Sequence, residues 1–67
     1  MEFKKFKTFL FSRGETYDKA SKKIGIAISS FSKKINGQAS WDYRELSKIK
    51  KVYELDDSTF IEFFFNK

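Results

Sequence analysis

Apolar residues recur along this chain in short stripes of helical period, each opened by a capping residue or closed by a glycine. Phe3, Phe6 and Leu10 stand at i, i+3 and i+7 of the first stripe, which Phe9 widens and from which Phe11 falls out. Thr16, a good N-cap, precedes a second stripe of Tyr17, Ala20 and Ile24. Phe31 and Ile35 form a third at i, i+4, ending at Asn36-Gly37. The fourth, Leu46, Ile49, Val52 and Tyr53, opens at Asp42 with Glu45 three residues on, a variant of the capping box. A fifth opens at Asp56-Asp57-Ser58, acids suited to a helix N-terminus, and runs into F-I-E-F-F-F. Aromatic residues also favour strands, so helix and strand both stay open for that last run. Glycines at 14, 25 and 37 and the lack of proline divide the chain into segments at 2–13, 16–24, 27–36 and beyond. The spacing predicts one all-α, five-helix domain over 1–67.

Sixty-seven residues leave little interior, and aromatic bulk fills it: nine Phe, three Tyr and one Trp. The chain has neither Cys nor His, which removes disulfides, thiolate sites, the commonest general base and the commonest zinc ligand. No nucleophile has a His or Cys neighbour to form a dyad and no glycine loop could cradle a phosphate, so an enzyme, a cofactor and a metal are not expected. Asp42/Glu45 and Asp56/Asp57 read as caps rather than a catalytic carboxylate pair, and Trp41 as a staple rather than a base-stacking platform. No apolar run nears the ~18 residues of a membrane span. The N-terminus alternates Lys with Phe, a poor signal peptide, and a cytoplasmic protein is the default.

Charge sharpens the picture. Residues 1–37 hold nine Lys/Arg against three acids, and residues 38–67 hold five against six. Lys19, Lys22, Lys23, Lys33 and Lys34 face only Asp18 within 16–37. Segregated positive charge suggests a polyanionic partner, with a merely solvated face as the alternative. The same window reads as two short helices and a tight turn, the form of a helix-turn-helix DNA reader. Gly25 sits where a side chain would crowd the turn, Ser21 leaves room for the second helix, and Ile26 anchors the turn. Phe31 and Ile35 pin the following helix, leaving Ser29, Ser30, Ser32 and Lys33 toward solvent. Short hydroxyls can bond base edges or phosphates, and Lys33 can reach guanine acceptors. Ile28 falls near Phe31 on the helical wheel, so core packing is favoured over an apolar contact with a thymine methyl.

The string T-Y-D-K-A-S-K-K-I-G-I-A-I-S-S-F-S-K-K-I-N-G resembles the helix-turn-helix of the lambda repressor/Cro-like (XRE-type) family, closest to small phage regulators of low-GC Gram-positive hosts. The likeness covers nearly the whole chain and implies a lambda-repressor-like domain with its recognition helix at about 27–36 in the major groove. It implies base contacts by Ile28, Ser29, Ser32 and Lys33. It also implies phosphate contacts by Lys34, Asn36 and Gln38, with Thr16, Tyr17 and Ser30 beside them. Tyr17 stands where the family often has a phosphate-binding Gln, and Ala27 where a Ser usually caps the recognition helix.

A sequence-specific transcriptional regulator acting on a double-stranded operator is therefore expected, with no small-molecule ligand. In the Phe-rich tail, Phe60, Phe63 and Phe64 share one helical side while Ile61 and Phe65 pair on another, which suits a homodimer on DNA. A protein–protein adaptor or antirepressor on the same scaffold is the alternative. A basic peripheral membrane helix ranks last.

Overall fold

A computed structural model describes residues 2–65, and their backbone forms α1 (Lys4–Ser12), α2 (Tyr17–Ile24), α3 (Ile28–Ile35), α4 (Tyr43–Val52) and α5 (Asp57–Phe64). Among the described residues there is no strand, so the Phe-rich run is helical. Each start has a local cause. The Thr16 hydroxyl accepts from the Lys19 N–H, and the Asp56 carboxylate from the Thr59 N–H. Asp42 and Glu45 complete the reciprocal capping box of α4. Ala27 opens α3 with no side-chain cap.

Helix ends follow the same logic. At the ends of α1, α3 and α4 the two crossed N–H to C=O bonds of a Schellman motif are present, ending on Leu10 and Phe11, Lys33 and Lys34, and Lys50 and Lys51. Gly14 and Gly37 hold the left-handed position in the first two; in α4 it is Glu54, at φ 52°. A side chain in that conformation costs about 1–2 kcal/mol. Glu54→Gly should therefore stabilise the protein by about 1 kcal/mol and raise its Tm by roughly 4–8 °C, read by calorimetry.

The core gathers around Phe6, which is fully buried. The rings of Phe9, Phe31, Trp41, Tyr53, Phe63 and Phe64 lie 5.1–6.4 Å from its own. Leu10, Ala20, Ile24, Ile35 and Ile49 close the interior. Trp41 stands edge-on to Phe3, Phe6, Phe31 and Phe64, the packing role expected just ahead of a helix N-cap. In α5, Phe64 is buried and Phe60 and Phe63 half-buried, while Ile61 and Phe65 stay exposed, as the helical wheel anticipates. No described helix is long and apolar enough to cross a membrane.

Candidate nucleic-acid interface

Helices α2 and α3 are joined by a three-residue turn, Gly25 to Ala27. The Ser21 carbonyl accepts from the N–H groups of both Gly25 and Ile26, and its hydroxyl donates to the Asp18 carbonyl at 2.8 Å. Ser21 is buried there, as its small size requires. The role of Gly25 differs from the expectation: a Cβ built on it meets nothing within 4 Å, so crowding is not the constraint. The constraint is its left-handed backbone at φ 85°, which L side chains adopt at a cost.

Phe31 and Ile35 are fully buried beneath α3, which turns Ser29 and Lys33 directly outward. Ser32 and Ser30 flank them, half-buried on opposite sides. Ile28 is a correction: it is 48% exposed rather than packed in the core. It occupies the first position of the helix, where side chains lean back toward the N-terminus and so out over the turn. Ile28, Ser29, Ser32 and Lys33 thus form one connected outer surface.

The residues expected on phosphates divide. Gln38 is exposed, and Thr16 is occupied with its cap. The Tyr17 ring packs on Phe31 and stacks on Phe11, with centroids 5.5 and 6.2 Å away. Lys34 and Asn36 are turned inward. The Lys34 ammonium is bound to the Glu45 carboxylate at the start of α4, both largely buried. Asn36 accepts from Lys7 at 2.7 Å through Oδ1 and donates to the Ser32 carbonyl at 2.9 Å through Nδ2. These two side chains tie α3 to its neighbours.

A buried carboxylate escaped the sequence reading altogether. Glu15 accepts from Lys23 Nζ at 2.6 and 3.0 Å and from the Tyr53 hydroxyl at 3.2 Å. Burial first, and then the neighbouring Glu15 charge, push the Tyr53 phenol well above its ordinary value, so it stays a donor. The Arg13 guanidinium lies over the Tyr53 and Phe9 rings, at 5.8 and 5.2 Å.

The charge map changes accordingly. Lys22 pairs with Asp18, Lys23 with Glu15 and Lys34 with Glu45, so only Lys19 and Lys33 of the motif lysines lack a carboxylate partner among the described residues. The acidic second half spends all but one of its carboxylates, Glu54, in the same way. Glu62 pairs with Lys5 and Asp57 with Lys50, while Asp42 and Asp56 are caps. That leaves Arg44, Lys48 and Lys51 of α4 unpaired among the described residues. The uncompensated charge is therefore not confined to the helix pair: Lys19 and Lys33 hold it there, and α4 carries three such cations on one helix. A helical spacing of 44, 48 and 51 was visible in sequence, but the near-neutral local sum concealed it.

Compared with protein families, with curated proteins and with solved structures, the chain finds no match.

Proposed function

We propose that this protein is a sequence-specific DNA-binding regulator of the lambda repressor/Cro-like type, of phage kind, reading an operator duplex with α3. The observation that carries the reading is the outer side of α3. It presents short hydroxyls, one exposed Ile and one lysine without a carboxylate partner among the described residues, on a helix held from behind by fully buried Phe31 and Ile35. Such a helix can sit deep in a major groove, where Lys33 meets guanine acceptors and Ile28 a thymine methyl. Lys19 of α2 and Gln38, just past the end of α3, are exposed and suit phosphates.

Fluorescence anisotropy with random duplex DNA across a salt series tests this. Log affinity should fall linearly with log salt, by about 0.9 per neutralised phosphate. On a selected operator, Lys33→Ala should relax preference at one base position at about 1–3 kcal/mol, with folding unchanged. No salt-dependent duplex binding would defeat the proposal and favour the adaptor alternative.

Binding as a homodimer belongs to the same reading. Ile61 and Phe65 are 54% and 61% exposed on one side of α5, an apolar pair that a second copy would cover. Two α3 helices set about 34 Å apart would match successive major grooves of a palindrome. Sedimentation on operator DNA should give a dimer for the wild type and a monomer for Ile61→Asp/Phe65→Asp. A monomeric wild type on DNA would remove this part alone.

A further inference from the structure

The outer face of α4 answers to nothing in the α3 reading. Tyr43, Arg44, Ser47, Lys48, Lys51 and Val52 line a shallow groove of about 700 Å³ on the side of the helix away from the buried Glu45 and Ile49. Tyr43 is 84% exposed, an unusual setting for so large a ring, and the aromatic contacts of the core are made by other residues. Arg44 and Lys48 stand at i, i+4, and Lys48 and Lys51 at i, i+3, so three like charges repel along one face. Among the described residues none of the three is ion-paired, and the nearest carboxylate in sequence not engaged elsewhere, Glu54, lies past the end of the helix.

From this juxtaposition we infer that the α4 face is a second binding site, for single-stranded DNA. The cations track successive phosphates, the Ser47 hydroxyl can donate to one, and the Tyr43 ring offers a platform on which a base stacks. Charged grooves with exposed aromatics bind single strands in this way, because every base has a π-face and the backbone is a regular line of charge. A duplex hides its base faces and would leave the Tyr43 ring unused. The choice of DNA over RNA rests on the proposed function, which already brings DNA to this molecule; the site itself rests on α4.

The test is anisotropy of labelled dT12 with the full chain, in parallel with random duplex and with rU12. The wild type should bind dT12 with log affinity falling by about 0.7 per phosphate contacted, a total slope near ~2 for three cations. Tyr43→Ala should weaken dT12 by roughly 5- to 150-fold, the range of one stacked base, and leave duplex affinity within about twofold. Lys48→Gln/Lys51→Gln should flatten the dT12 slope by about 1.4. Lys33→Ala should do the reverse, weakening duplex and sparing dT12. All these positions are exposed, and circular dichroism melts would confirm that each variant is folded. Wild-type dT12 binding by Tyr43→Ala, equal loss of dT12 in Lys33→Ala, or displacement only by an acidic peptide would overturn the site. A clear preference for rU12 would overturn its assignment to DNA. Loss of duplex binding with dT12 binding intact would strike the α3 proposal and leave this one standing.

Discussion

Phe6→Ala should bring this domain close to unfolding at room temperature. A chain of this length holds a net stability of about 3–10 kcal/mol, from about 0.05–0.15 kcal/mol per residue. Removing a fully buried phenylalanine costs about 3–5 kcal/mol, through lost transfer energy and the cavity left behind. Phe6 sits among six other rings drawn from α1, α3, α5, the turn before α4 and the residue that caps the end of α4, so the cavity would open at the junction of the fold. Partial collapse around it is hindered because those rings are held by different helices. Urea denaturation followed by circular dichroism gives the number. Phe6→Leu, which restores most of the volume, should recover much of the loss. Phe11→Ala serves as the control, since that ring is 58% exposed and its stacking on Tyr17 is worth about 1 kcal/mol. Equal effects from Phe6→Ala and Phe11→Ala would mean that the core is not centred where it is described.

The contrast between those two phenylalanines was legible in sequence, because helical period alone separates Phe6 from Phe11. The five helices were legible for the same reason, and so was the capping box of Asp42 and Glu45, whose partners lie three residues apart. Gly25 was found at the right place for a different reason, since residue identity reveals neither φ nor whether the surroundings are empty or crowded. Ile28 was misplaced because the helical wheel treats the first position of a helix like its middle. What a wheel cannot show at all is pairing across the fold. Tyr53 reaches Glu15 over 38 residues, and Lys34 reaches Glu45 over 11. The apparent excess of charge in 16–37 shrank to Lys19 and Lys33 through such pairs, and the α4 cations emerged once most of the acids of the second half, Glu54 excepted, proved to be engaged elsewhere. Outward placement was therefore legible for Ser29 and Lys33, which helical period sets opposite Phe31 and Ile35. It was least legible for Lys34 and Asn36, whose polar ends are bound inside the protein.

Lys34→Met should lower stability and leave the salt dependence of duplex binding unchanged. The Glu45 carboxylate is shared: one oxygen accepts from the Asp42 N–H at 3.0 Å, and the other holds the Lys34 ammonium. Its side chain is only 10% exposed, and that of Lys34 17%. Methionine keeps the aliphatic stem but removes the charge, which leaves a largely buried carboxylate with a single backbone donor. Hydrogen bonds to charged groups are worth about 1.5–3 kcal/mol, and that is the expected loss on thermal or urea unfolding. Adding Glu45→Gln to Lys34→Met should return part of it, because the uncompensated charge is then gone while the cap to Asp42 can persist. Lys33→Ala, one residue earlier but facing outward, should unfold like the wild type and alter only the interaction with DNA. The two neighbouring lysines thus separate scaffold from reader in a single pair of experiments. A Lys34→Met protein with wild-type stability and a salt slope flattened by about 0.9 would instead put that ammonium on a phosphate, as the family resemblance implies, and dissolve the Lys34–Glu45 tie.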